Sequence, residues 1–146
     1  MPTRARSIVN AYARMWPRDV FDIKAAGKLA KDIREALRDP GVYVLYRNDA
    51  PYYVGKTGRP LFDRLWNHAN QPGDRYYNFW NFFSVFAVAG KKHRDDVEGI
   101  LIAAMPTANS ASPRFPRIEL PTRVGRLLKR QREIIEEDPR PGYRAR

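Results

Sequence analysis

The sequence predicts an α/β fold in which a small three-stranded, antiparallel-type sheet is flanked by helices, with extra helices at the N- and C-termini. Two observations predict the sheet. The β-branched and aromatic segments GVYVLYR (41–47) and YYVGK (52–56) are separated by turn residues, and NFFSVFAVA (81–89) has the composition of a buried strand. A third observation predicts the helices, because apolar residues recur at helical spacing on both sides of these strands.

The helical pattern is weak over residues 7–15 and strong over 21–39, where proline and glycine then end it. Pro60 suits the first turn of the next helix. This helix has Arg64 and His68 four residues apart on one side. Its other side carries the apolar residues Leu61, Phe62, Leu65 and Trp66.

Asp95 or Asp96 can cap a further helix, VEGILIAAM, and a last amphipathic helix begins at Thr122. No repeat or flexible linker divides the chain. We therefore expect a single domain in three parts. They are an N-terminal helical extension (1–40), a core (41–110), and a Pro-rich loop with a basic C-terminal helix packed on the same domain (111–146).

The composition favours a polyanionic partner, with nucleic acid as the leading candidate. The net charge is +11, and the excess is concentrated before residue 41 and after residue 110. No cysteine is present, which excludes disulfides, thiolate zinc sites and a cysteine nucleophile. The N-terminus lacks the apolar core of a secretory signal, and the apolar stretches are too short to span a membrane. We expect a cytoplasmic protein without a membrane partner.

The strand pair at residues 41–56 is expected to form a hairpin whose register decides which tyrosines share a face. A loop of three or five residues, with Arg47 opposite Tyr53, places Tyr53 on the face of Tyr43. A loop of four residues places Tyr52 there instead. The sequence leaves both alternatives open.

The hairpin residues Gly41-Val42-Tyr43 and Tyr53-Val54-Gly55 lie ten residues apart. They are followed in order by Arg64, His68, Glu98 and Asn109. This ordered set resembles the GIY-YIG nuclease superfamily over residues 41–109, with valine in place of isoleucine in both triplets. The resemblance implies that residues 41–110 form the catalytic core of a GIY-YIG-type endonuclease, a phosphodiesterase acting by water attack.

The resemblance implies a role for each matched residue. Tyr43 is the general base and Tyr53 orients the water or the phosphate, while His68 can hydrogen bond the attacking water or a neighbouring tyrosine. Arg64 clamps a phosphate oxygen through its planar fork, and Glu98 is the metal ligand. The expected cofactor is Mg²⁺ or Mn²⁺, since a hard cation needs only one or two protein carboxylates when a phosphate supplies further oxygens.

Other residues are expected to bind substrate. They are Lys56, Asn109 and the basic stripe Arg123, Arg126 and Arg130 of the last helix. Local backbone hydrogen bonding is the alternative for Asn109, and a solvated face is the alternative for the stripe. The aromatic run 76–83 can stack unpaired bases, although such runs are commonly core; Tyr76 and Tyr77 are its expected exposed members.

The expected function is therefore metal-dependent DNA cleavage by a monomer or homodimer. Two alternatives remain: a non-catalytic nucleic-acid-binding module on the same scaffold, and a basic protein that binds an acidic protein partner.

Overall fold

The computed structural model describes residues 7–22, 28–109 and 111–137, and its fold is α/β as expected. The strands are β1 (Ala11–Pro17), β2 (Gly41–Arg47), β3 (Ala50–Thr57) and β4 (Phe82–Ala87). A 3-10 helix (Arg18–Phe21) precedes the α-helices, which are α1 (Lys28–Ala36), α2 (Leu61–Asn70), α3 (Lys91–Ala104) and α4 (Thr122–Glu137). Residues 23–27 of the helix predicted over 21–39 lie outside the described residues, and α1 forms its central part.

One antiparallel sheet holds the described strands in the order β1-β4-β2-β3. The prediction of three strands is wrong because the segment assigned to a weak helix over 7–15 contains β1. Tyr12 lies opposite Phe86 and is 72% exposed, whereas Trp16 packs against the core. A bulge at Met15, whose φ is 53° and whose N–H donates to Ser84 Oγ at 3.0 Å, interrupts the alternation that would have indicated a strand.

The hairpin between β2 and β3 turns on the two residues between Arg47 and Ala50, a shorter loop than any of those predicted. Asn48 has a φ of 57° in this turn. Asn81 Oδ1 accepts its N–H at 2.7 Å, and the two side chains are hydrogen bonded at 3.0 Å. Asparagine tolerates this left-handed conformation, so the turn chemistry suits the position.

A bulge at Tyr52 then shifts the register by one residue. Tyr46 pairs with Pro51 before the bulge, and Leu45 pairs with Tyr53 after it. Tyr43 lies opposite Gly55. Tyr43 and Tyr53 therefore share a face of the sheet, which decides between the two alternatives that the sequence left open.

The two faces of the sheet carry separate apolar clusters. Residues of α2 and the 3-10 helix join the cluster of Tyr43, Leu45 and Phe83. On the other face, Val44 and Val54 pack against Leu101 of α3 and its neighbours. The site residues of β2 and α2 therefore belong to the first face.

Helix α2 buries three of the four residues predicted on its apolar side, Leu61, Phe62 and Leu65, and it also buries His68. Leu61, Leu65 and His68 are 0–2% exposed, whereas Trp66 is 40% exposed. Positions 61, 65 and 68 follow the 3.6-residue period, so the histidine belongs to the stripe that faces the sheet. The prediction that His68 lies away from the apolar side is wrong.

Helix α3 begins earlier than predicted. Gly90 is the capping residue, and its carbonyl accepts the Arg94 N–H at 2.9 Å, so Asp95 and Asp96 lie inside the helix. Glu98 is consequently in the middle of α3.

The chain divides into two compact units, residues 1–114 and 115–146. The second unit contains α4, which begins at Thr122 as expected. Within the described residues, no helix is both long and apolar enough to cross a membrane.

Candidate active site

Tyr43 is the centre of the site and is 1% exposed. Its ring lies across Gly55 of the neighbouring strand. A Cβ atom added to Gly55 would be 2.3 Å from both Cζ and the hydroxyl oxygen of Tyr43. The glycine of the Tyr-Val-Gly triplet therefore provides the space that the tyrosine of the Gly-Val-Tyr triplet occupies.

His68 of α2 contacts the hydroxyl of Tyr43, with 2.8 Å between Oη and Nε2. The other ring nitrogen, Nδ1, lies 2.8 Å from Oδ1 of Asp74. A carboxylate only accepts hydrogen bonds, so Nδ1 carries the proton and Nε2 is an acceptor in the neutral ring. The Tyr43 hydroxyl therefore donates to His68, which donates to Asp74.

The pKa values agree with this direction of donation. Burial, opposed mainly by Asp74, lowers the pKa of His68 below its ordinary value and keeps the ring neutral. Burial also raises the pKa of Tyr43 far above its ordinary value, and the neighbouring Tyr53 adds to the rise. The guanidinium of Arg64 lies beside the Tyr43 hydroxyl and opposes the rise. At neutral pH the phenol therefore holds its proton and needs an acceptor to release it.

Asp74 was missed at the sequence level, where the residues after α2 indicated only a turn. Its Oδ1 accepts the Tyr76 N–H at 2.9 Å as well as the proton of His68. The available signal was an acidic residue six positions after His68, immediately beyond the Pro72-Gly73 turn. That spacing is too common in turns to indicate a site by itself.

Tyr53 packs beside Tyr43, with 6.2 Å between the ring centroids. Its other neighbour is Tyr76, stacked at 4.2 Å. Burial is the main cause that raises the pKa of Tyr53 above its ordinary value. Tyr76 and, more weakly, the carboxylate of Glu98 add to the rise, and Arg64 opposes it. Glu98 is therefore close enough to Tyr53 for the two groups to interact electrostatically.

The predicted exposed aromatic residues are only partly exposed. Tyr76 is half-buried against Tyr53, and Tyr77 is also half-buried, with Arg18 over its ring. Phe79 is 50% exposed and stacks on Tyr52 with 5.8 Å between ring centroids. An aromatic column thus extends from Tyr53 toward the surface.

Glu98 has a side chain that is 20% exposed and lies beside Lys56 of β3. Lys56 Nζ is 2.8 Å from Asp95 Oδ1 and 3.5 Å from Glu98 Oε1. The hydrogen bond to Asp95 raises the pKa of Lys56, so the ammonium remains charged. Glu98 is thus an accessible carboxylate whose neighbouring cation has a second acidic partner.

Asn109 holds the backbone of the edge strand β3. Its Oδ1 accepts the Val54 N–H at 2.9 Å, and its Nδ2 donates to the Val54 carbonyl at 2.8 Å. The Ala108 N–H donates to the Tyr52 carbonyl at 2.7 Å. These contacts give Asn109 the backbone role that the sequence left as an alternative, and its contact with substrate stays a prediction.

The first unit therefore brings together Tyr43, Tyr53, Arg64 and His68, whereas Glu98 pairs with Lys56 and contributes only to the electrostatics of Tyr53. The predicted substrate contacts Arg123, Arg126 and Arg130 are exposed on α4, which belongs to the second unit. Across the described part of the chain, no group of three or more His, Asp or Glu side chains converges as a metal cage. Comparison with protein-family models, curated proteins and solved structures finds no match.

Proposed function

We propose that this chain is a metal-dependent endonuclease of the GIY-YIG type, which hydrolyses DNA phosphodiester bonds by water attack. The observation that carries the proposal is the environment of the Tyr43 hydroxyl. The hydroxyl is hydrogen bonded to a neutral histidine and lies beside an arginine, and the ring of Tyr53 packs beside the ring of Tyr43. A buried phenol that has both a proton acceptor and a cation beside it is suited to proton transfer.

Tyr43 is the general base in this proposal: His68 accepts the phenolic proton, and Arg64 opposes the burial that disfavours the ionised phenol. Arg64 also binds a nonbridging phosphate oxygen, and its guanidinium is charged at any working pH. Tyr53 and His68 fix the position of Tyr43 by packing and hydrogen bonding. The attacking water forms the new bond to phosphorus, the bond to the 3′ oxygen breaks, and that oxygen takes a proton from solvent. The products carry a 5′-phosphate and a 3′-hydroxyl.

The donor set fits a divalent cation of the Mg²⁺ or Mn²⁺ type. Glu98 would hold the ion through a carboxylate oxygen, the ligand that such ions prefer. When bound, the ion supplies electrophilic stabilisation of the phosphate oxygens. The Lys56 ammonium can remain on Asp95, 2.8 Å away, when the Glu98 carboxylate is engaged.

Net charge supports the choice of nucleic acid as substrate. The chain carries +11, and the arginines of α4 are exposed. Phosphate contacts of this kind provide affinity without sequence information. A monomer or homodimer acting on DNA in the cytoplasm belongs to the same proposal.

A plasmid nicking assay tests the proposal. The purified chain, Glu98→Ala and the exposed control Asp63→Ala are incubated with supercoiled plasmid and Mg²⁺ or Mn²⁺, with and without chelator. We expect metal-dependent nicks from the wild type and Asp63→Ala, and none from Glu98→Ala. End mapping should give 5′-phosphates.

The same assay distinguishes the alternatives. A non-catalytic binding module would retain DNA in a salt-sensitive manner and give no nicks from any variant. A protein that binds an acidic protein would show no salt-dependent retention of nucleic acid. Either result would overturn the endonuclease proposal.

A further inference from the structure

The roles described so far leave Asp74 without a function in the proposed reaction. Its carboxylate faces a histidine that is 1% exposed, and its own side chain is 14% exposed. The hydrogen bonds from Tyr43 to His68 and from His68 to Asp74 are each 2.8 Å long. Three side chains from a strand, a helix and a turn therefore form one continuous chain of hydrogen bonds.

We propose that Asp74 is a positioning residue, which holds His68 in the Nδ1-protonated tautomer so that Nε2 can receive the phenolic proton of Tyr43. This inference rests on the proposed function. As Tyr43 takes a proton from the attacking water, it passes its own proton to Nε2, and the phenol ends the step neutral. The imidazolium then lies opposite the Asp74 carboxylate, and it releases its extra proton to solvent after the leaving oxygen departs.

The geometry specifies one tautomer. If Nε2 carried the proton instead, Nδ1 and the carboxylate would be two acceptors 2.8 Å apart with no hydrogen between them. A buried pair of that kind is strongly disfavoured. Asp74 therefore selects the ring form whose lone pair points at Tyr43. An orienting carboxylate with this effect on a catalytic histidine is a recurrent arrangement in hydrolases.

The charged and titratable groups around His68 come from each element packed against it. They are Tyr43 of β2, Tyr53 of β3, Arg64 of α2 itself, and Asp74 and Tyr76 of the following turn. Asp74 is the acid that raises the pKa of His68, and Arg64 opposes it. Removal of the Asp74 charge should therefore make His68 a weaker proton acceptor.

Asp74→Asn separates this role from a structural one. Asparagine keeps an Oδ1 atom in the place where Asp74 Oδ1 accepts both the Tyr76 N–H at 2.9 Å and the His68 Nδ1–H at 2.8 Å, so both side-chain contacts remain. It removes only the charge that faces the imidazolium, whereas Asp74→Ala removes the acceptor that selects the tautomer. Asp63→Asn is the matched control, because it makes the same change at an exposed position of α2.

The experiment combines ¹⁵N spectra of the imidazole with nicking kinetics on the full chain. We expect His68 of the wild type and Asp63→Asn to show protonated Nδ1 and bare Nε2. In Asp74→Ala this signature should be lost, and kcat should fall by about 10²–10⁴ with KM little changed, as for a group that assists proton transfer. In Asp74→Asn the signature should stay and kcat should fall less, because only the charge is lost. The acid limb of the kcat profile should move to lower pH, and Asp74→Glu should recover part of kcat.

The outcomes separate the two proposals. A wild-type protein that does not nick DNA overturns the proposed function and the proton transfer together. A wild type that nicks, with Asp74→Ala matching it in tautomer and both variants matching it in kcat and pH profile, overturns the role of Asp74 alone and leaves the endonuclease proposal standing. A purely structural role for Asp74 predicts that second result.

Discussion

The contact between Gly55 and Tyr43 leads to a test of the geometry on which the site depends. Gly55→Ala introduces a Cβ atom whose position is 2.3 Å from the Tyr43 hydroxyl and Cζ. Carbon atoms in contact are normally about 3.5–4.0 Å apart, so the ring must move by more than an ångström. The Tyr43 ring is 1% exposed and its hydroxyl is 2.8 Å from His68 Nε2, so a shift of this size breaks the hydrogen bond to His68.

Two costs set the magnitude. Forcing an added methyl group into a packed interior costs about 1–3 kcal/mol, and leaving the buried His68 acceptor unpaired costs about 1–3 kcal/mol more. The lower unfolded-state entropy of alanine returns about 0.5–1 kcal/mol. We therefore expect Gly55→Ala to lower the free energy of unfolding by about 1–5 kcal/mol. Nicking activity should fall by about 10²–10⁴, because the general base is displaced.

Urea denaturation and the nicking assay measure both effects. Gly73→Ala is the control, since a Cβ atom there meets nothing within 4 Å, and its stability should be unchanged or rise by up to about 1 kcal/mol. A double-mutant cycle isolates the contact. In a Tyr43→Leu background the alanine at position 55 should cost little, since the ring it would strike is gone. An equal cost of Gly55→Ala in both backgrounds would refute the reasoning.

Three further predictions concern other parts of the site. Because burial lowers the pKa of His68, the imidazole binds a proton at higher pH in the unfolded chain than in the folded one. The free energy of unfolding, measured by urea titration, should therefore decline below about pH 6.5, and it should decline less in His68→Asn. Asn109→Ala should lose about 1–3 kcal/mol of stability through the two bonds to Val54, with DNA affinity unchanged where the protein is folded. Replacing Arg123, Arg126 and Arg130 together by alanine should reduce the slope of log K for DNA binding against log salt concentration by about 2–3. An unchanged slope would exclude these arginines as phosphate contacts.

Local periodicity predicted the elements whose pattern is uninterrupted. Strands β2, β3 and β4 and helices α2 and α4 appear where the sequence placed them. Strand β1 was missed because it contains a bulge at Met15, and because its pairing partner β4 is about 70 residues away in the chain. A pattern confined to one segment cannot contain the information that a distant strand supplies.

The contacts within the site were likewise predicted only in part. The hydrogen bond between Tyr43 and His68 matches one of the two partners that the sequence offered for the histidine, a tyrosine or the attacking water. Asp74 was not predicted, since a turn acid is ordinary until the fold brings it to Nδ1 of His68. Asn109 was recognised as a position of interest, but its pairing with Val54 depends on the course of the chain after α3. Residue type was predictable, whereas the partner of each polar atom was not.

One inserted residue in β3 decides whether Tyr52 or Tyr53 shares a face with Tyr43. The two-residue turn pairs Arg47 with Ala50, and continuing this register would place Tyr52 opposite Leu45, on the face of Tyr43. The bulge inserts one unpaired residue, so Tyr53 takes that place and Tyr52 stacks on Phe79 instead. Because side chains alternate along a strand, a single inserted residue exchanges the two phenols. The arrangement of Tyr43 and Tyr53 is therefore a consequence of one backbone irregularity, which neither tyrosine specifies by its own identity.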